Sequence, residues 1–278
     1  MAARRESMAL TDAYRRALVR VRGSATRILL DLFDARVRVD DIDRTVRRWT
    51  PAAAETVVAG QREAVRLTSA YLTAYMASET GEPQPPQDLD LEAFEGTAGG
   101  LELAAVLRLT GAAMKHASAA GLPPAAVRLA GEARAVRTVR AEVMGAARRA
   151  LADAMHADPR IVGWTRVTWG TCGACLGLSG TSFASNVRMD THPNCRCVAE
   201  PRVAGVRERW RRPTGEEIFA RMSRAEQDAL FAGRGGADKA DLVRSGAVPL
   251  HRLVRRYEHP EWGSVLSEAP LAELQKTS

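Results

Sequence analysis

All four cysteines of this 278-residue chain and one of its five histidines fall in one short stretch, as Cys172, Cys175, His192, Cys195 and Cys197. The pattern is C-x2-C, sixteen intervening residues, then H-x2-C-x-C. Thiolate and imidazole are the ligands zinc takes in tetrahedral structural sites, and a C-x2-C turn presents two sulfurs to one ion. Gly173 and Gly177 are expected to let the loop close tightly and to leave backbone N–H groups pointing at the sulfurs. The flanking extended segments, Ile161–Trp169 and Cys195–Val203, are expected to return the second ligand pair as a hairpin. Five candidates compete for four positions. In an extended strand Cys195 and Cys197 share a side but stand about 6–7 Å apart, too far for neighbouring ligands of one ion without a turn. The expected set is Cys172, Cys175, His192 and one of Cys195 or Cys197, with structural zinc as the cofactor.

Competing chemistries are less well served. Disulfides need an oxidising compartment, and Arg4 and Arg5 are not followed by the continuous apolar run of a secretory leader. A thiolate already held by metal is a poor nucleophile, and no carboxylate beside the cluster is placed to activate a metal-bound water. The other histidines (His116, His156, His251 and His259) are scattered. No nucleophile elbow, P-loop or dinucleotide fingerprint appears, so no catalytic residue is assigned.

The elements that must position this cluster are mostly helical. Hydrophobic residues make up 46% and charged residues 26%, which excludes a wholly disordered chain, while aromatics at only 5% disfavour a β-sandwich. No apolar run reaches membrane-spanning length, so no membrane partner is expected. Tyr14, Leu18, Val21, Ala25, Ile28 and Leu32 recur at steps of three and four along one helix face, with arginines 15, 16, 20, 22 and 27 on the others. Asp40–Asp43 opens a short second helix. Thr50-Pro51 reads as a fresh helix start, N-cap then proline, running to about Ser78. The proline-rich 81–87 segment is a break, followed by a helix from Leu89 or Thr97 to Ala119 and another from Pro124 to His156. After Pro213, Thr214–Glu217 and Ser223–Glu226 fit the capping box, and a last helix lies near Asp238–Arg244, beyond the Gly233–Gly236 stretch. The expected fold is mainly α: long N-terminal helices (1–158), a small Cys/His-rich β-hairpin zinc module (159–204) and a small helical C-terminal region (205–278).

Charge is uneven along the chain. The total is 40 Lys+Arg against 33 Asp+Glu, yet residues 1–107 carry 14 basic and 16 acidic side chains, leaving the excess of arginine in the remainder. An Arg-rich second half can face phosphates or an acidic protein surface, or can be a solvated helix face. Trp164, Trp169, Arg166, Arg188 and Arg196 around the cluster fit either a zinc-dependent nucleic-acid binder or hairpin packing.

The run G-T-C-G-A-C-L-G-L-S-G at 170–180, followed by Phe183 and then H-P-N-C-R-C-V-A-E-P at 192–201, resembles the hallmark of the phage Mu F-like minor head proteins, also called phage head morphogenesis proteins. The Met222–Gln227 and Leu242–Leu250 segments resemble that family's C-terminal portion. The resemblance implies a minor capsid structural protein of a tailed bacteriophage, acting in head assembly. It implies the portal protein and the major capsid protein as partners. Its implied location is the virion, at the head interior or portal vertex, after assembly in the host cytoplasm. Non-specific contact with packaged DNA would suit the basic half. Proteins of this layout are also labelled capsid maturation proteases, which stands as the enzymatic alternative.

Overall fold

The computed structural model describes residues 2–169, 172–206, 211–231 and 235–275. Gly170 and Thr171 of the hallmark run, and Gly233 and Arg234 of the Gly233–Gly236 stretch, lie outside them. Four long helices form the body: α1 (Ala2–Arg36), α2 (Ile42–Thr80), α3 (Leu103–Ala119) and α4 (Pro124–Ala157). A three-stranded antiparallel sheet follows, with β1 (Ile161–Val167) in the middle, β2 (Ser182–Ala184) on one edge and β3 (Val198–Val203) on the other. Between β1 and β2 sits the one-turn helix α5 (Gly173–Leu176). The C-terminal part comprises α6 (Gly215–Arg221), α7 (Arg224–Leu230), α8 (Gly236–Arg244), the hairpin β4–β5 (Val254–His259, Gly263–Glu268) and α9 (Leu271–Leu274). The molecule is mainly helical with a small Cys/His-bearing β region, as the sequence predicts. No helix among the described residues is long and apolar enough to cross a membrane.

Several expected boundaries move for physical reasons. The Asp40–Asp43 and Thr50–Ser78 helices are one helix: Thr50 is no N-cap, but is buried mid-helix with its hydroxyl donating to the Val46 carbonyl (2.8 Å). Pro51 sits inside α2, where burial of Val46, Trp49 and Ala53 on both sides of it outweighs one missing backbone bond. Gly81 ends this helix in the left-handed conformation (φ 74°), donating its N–H back to Ala77. α3 begins only at Leu103; upstream the chain makes a single 3-10 turn at Glu92–Phe94. The Val248–Val254 apolar segment becomes a 3-10 turn at Leu250–Leu253 that feeds β4. Both capping boxes form at the N-termini of α6 and α7.

The buried face of α1 is rotated from the expected stripe. Leu29 and Phe33 are buried, while Ile28 is half exposed. The reason is that α1 packs against both α2 and α4, so its inward arc lies between the two contacts. Arg15 and Arg22, expected on outer faces, are each only 4% exposed. Tyr14 stacks flat on Tyr71 (4.2 Å), and their hydroxyls find Thr68 and Thr11, so the α1–α2 seam buries polar groups in pairs. β1 and β3 close this core from one end: Ile161, Trp164, Val167, Val198 and Val203 join the helical cluster, and the Tyr75 hydroxyl donates to the Pro201 carbonyl (2.7 Å). A second apolar cluster, built by Phe219, Leu230, Phe231, Leu250, Leu253 and Leu274, takes in Leu176 of α5. The cysteine segment lies between the two cores.

Candidate metal centre

Cys172 stands at the N-cap position of α5 and Cys175 in its only turn, where the Leu176 N–H returns to the Cys172 carbonyl (2.9 Å). One helical turn therefore places both thiols on the same side. The glycines act in part differently from expectation. The Gly177 N–H is spent on the carbonyls of Gly173 and Cys175, and the backbone N–H that does reach a sulfur, as expected of this loop, is that of Cys175, onto Cys172. The glycines are needed for space: a Cβ on Gly173 would lie 2.5 Å from the Phe231 ring, and one on Gly177 would lie 2.6 Å from the Leu250 carbonyl oxygen. Both let α5 press against the C-terminal core.

The second ligand pair arrives through a turn, not along a strand. Asn194 adopts the left-handed conformation (φ 71°), which asparagine tolerates better than most side chains, and the Cys195 N–H closes onto the His192 carbonyl (3.0 Å). Regular strand geometry starts only at Val198. The extended spacing expected for Cys195 and Cys197 therefore does not apply, and their sulfurs lie within 4.8 Å of each other.

Two groups of potential metal ligands result, Cys172–Cys175–His192 and Cys175–Cys195–Cys197, and within each group all ligand atoms lie within 4.8 Å. Cys175 belongs to both. Its sulfur is 3.2 Å from His192 Nε2 and 3.7 Å from the Cys195 sulfur. His192 Nδ1 donates to the Pro193 carbonyl (2.8 Å), which turns Nε2 toward the sulfurs. Burial lowers the ring's proton affinity, but the hydrogen bond with Cys172 and the charge of Cys195 outweigh it and hold the imidazole up at about 9, so a metal ion would displace a proton from Nε2. Three of the thiols are buried, Cys172 is partly so, and none is in a disulfide. The thiols share protons among themselves. Cys172 is held down at about 4, chiefly by its hydrogen bond with Cys175, while Cys175 is pushed up by its bonds to the other three sulfurs.

Arginines that carry no special pattern in the sequence frame this cluster. Arg166, only 1% exposed, donates through Nη1 to the Asp190 carbonyl (2.9 Å) and through Nη2 to the Cys175 sulfur (3.4 Å). Burial alone would lower its affinity for a proton, but Cys197, Cys175 and Cys195 reverse this and hold it above the ordinary arginine value. Arg148 of α4 grips the knuckle from behind, donating to the carbonyls of Cys195 (2.9 Å) and Cys197 (3.1 and 3.2 Å). Arg22 of α1 donates to the Asn194 carbonyl (3.2 Å). One signal for Arg166 was present in the sequence. It lies two residues after Trp164, hence on the same face of β1 as a residue that must be buried. Arg22 and Arg148 had no such signal.

Trp164 and Arg166 are both interior, and the Trp164 indole N–H donates to the Val187 carbonyl (2.9 Å). Trp169 is half exposed but carries the Arg15 guanidinium 3.5 Å from its ring centroid. The remaining histidines, His116, His156, His251 and His259, are not part of either ligand group. Compared with family models, curated proteins and solved structures, the chain matches none.

Proposed function

We propose that this chain is a minor capsid, or head morphogenesis, structural protein of a tailed bacteriophage, and that its cysteine–histidine cluster holds a structural zinc ion. The observation that carries the reading is the C-x2-C and H-P-N-C-R-C pair, whose side chains converge on Cys175 while arginines from α1 and α4 hold the intervening backbone. Zinc suits this donor set. Sulfurs at about 2.3 Å from a tetrahedral ion stand about 3.8 Å apart, against 3.7 Å between Cys175 and Cys195. The buried arginines facing the sulfurs further favour thiolates over thiols. Bound zinc would supply cross-linking, tying α5 to the Cys195–Cys197 loop and thereby fixing how the two apolar cores meet. The helical body would then offer a rigid surface to the portal protein and the major capsid protein.

The test is co-expression with portal and major capsid proteins, followed by quantitative mass spectrometry of purified particles and metal analysis of the isolated chain. The reading expects intact chain in a few copies per particle and one zinc per chain. Absence from mature heads together with trimmed capsid termini would instead favour the maturation-protease alternative. Absence without trimming would overturn both.

A further inference from the structure

A cavity of about 240 Å³ lies where α4, the segment leading into the metal knuckle and the start of β5 meet. Three arginines line it: Arg148 and Arg149 from α4, and Arg188 from the connection after β2. Thr191 and Ser264 add hydroxyls, and Trp262 forms part of the wall. Among the described residues none of the three guanidiniums is within ion-pair distance of a carboxylate; Arg149 feels Glu142 and Asp153 at longer range and is repelled by Arg188. The one carboxylate in the lining, Asp190, is already paired with Arg256. Two buried donors belonging to lining residues, Arg149 Nη1 and Trp262 Nε1, have no hydrogen-bond partner. Buried donors left without a partner, with two further arginines on the same void, are costly unless an anion reaches them.

We infer that this cavity is a binding site for a phosphate group. Arg148 Nη1, Arg149 Nη1 and the Arg188 guanidinium, with two hydroxyls, match a tetrahedral, multiply charged oxyanion better than a planar monoanionic carboxylate; the Arg148 Nε and Nη2 and Arg149 Nη2 donors are spent on backbone carbonyls. A base-stacking ligand is disfavoured because the Trp262 ring is already stacked on His259 (4.2 Å) and has the Arg134 guanidinium over it (5.5 Å). The phosphate group is either free or part of a nucleic-acid backbone; the recognition chemistry is the same. Binding would reinforce parts already tied to one another: α4 to the cysteine knuckle through Arg148, α4 to the C-terminal hairpin through Arg134 and Glu261, and the hairpin to the segment before the knuckle through Arg256 and Asp190 and the Leu266 N–H to Thr191 carbonyl bond (2.7 Å). The inference stands apart from the phage reading, because it uses none of the metal ligands and no head-protein partner.

The experiment is calorimetric titration of the full-length protein with inorganic phosphate at fixed ionic strength, repeated for Arg188→Gln, Arg149→Gln and the remote exposed control Arg27→Gln. The expected result is saturable binding at one site per chain, weakened about tenfold or more by loss of either pocket arginine and unchanged in the control. Arg149 also donates to the Phe94 carbonyl (2.7 Å), so its variant is checked for folding by circular dichroism; Arg188 is exposed and serves as the variant without that concern. A second arm adds a short DNA duplex. Competition with phosphate that disappears in Arg188→Gln assigns the site to backbone phosphates, and phosphate binding without competition assigns it to a free anion. No saturable binding of either probe, or equal weakening in Arg27→Gln, overturns the inference.

Discussion

Replacing Arg166 with methionine tests whether the cluster is an anionic metal centre. With a divalent ion, three thiolates and an imidazole carry a net charge of −1, and four thiolates carry −2. Arg166 touches the Cys175 sulfur at 3.4 Å and faces Cys195 and Cys197 from a position that is only 1% exposed. Unit charges about 5 Å apart at an effective dielectric of about 20 attract by about 3 kcal/mol. Arg166→Met should therefore weaken zinc binding by about two orders of magnitude for the histidine-containing set, and more for four thiolates. Without metal the effect is smaller: Cys175, the sulfur Arg166 touches, keeps its proton along with Cys197, while only Cys172 and Cys195 are held down, so the metal-free protein should lose less stability than the zinc-bound form. Zinc affinity is read by competition with a chromophoric chelator, and stability by urea unfolding with and without metal. Unchanged zinc affinity, or equal destabilisation of both forms, would refute the electrostatic argument and leave Arg166 a packing residue.

Three further outcomes follow from the geometry. Glu142, in the body of α4, is raised by burial from 4.5 to about 7, against the lowering effects of the Ala98 N–H and Arg149. The stability associated with its protonated form is complete below the unfolded value and is lost as pH rises through the folded one, up to about 3 kcal/mol; urea midpoints across that window should fall with pH in the native protein and flatten in Glu142→Gln, and an unflattened slope would reject the assignment. Arg212 ties the buried Glu200 of β3 (2.5 and 3.0 Å) to Asp12 and the Met8 carbonyl of α1, so Arg212→Met should cost about 3–5 kcal/mol; a loss below about 1 kcal/mol in chemical denaturation would place that network at the solvated surface in energetic terms. On Gly163 an added Cβ would lie 2.2 Å from the Phe183 carbonyl oxygen, so Gly163→Ala should part β2 from β1 at a cost of about 1–3 kcal/mol. Loss of the Trp164–Phe183 stack in near-ultraviolet dichroism and faster proteolysis around residues 182–187 would report it, and native-like spectra and cleavage would count against it.

What the sequence determined alone is local: the ligand types and spacing of the cysteine cluster, the long amphipathic helices, the breaks at 81–87 and between Ala119 and Pro124, and the two capping boxes. Each rests on neighbours within a few residues, where helical periodicity, φ preferences and side-chain reach are enough. The tertiary structure decided what depends on partners far along the chain. Which arc of α1 is buried follows from α2 and α4 closing on it together, so Leu29 is inside, Ile28 is half exposed, and Arg15 and Arg22 leave solvent. The continuity of α2 through Pro51 depends on its burial against the other helices. The three-residue β2 and the β4–β5 hairpin carry too little pattern to be read before β1 and Thr191 are there to pair with them. Likewise, the C-x2-C spacing announced a candidate metal site, but only the Asn194 turn brings Cys195 and Cys197 together on Cys175, and only the fold sets a buried Arg166 against them, because electrostatic compensation acts through space and leaves no spacing in the chain.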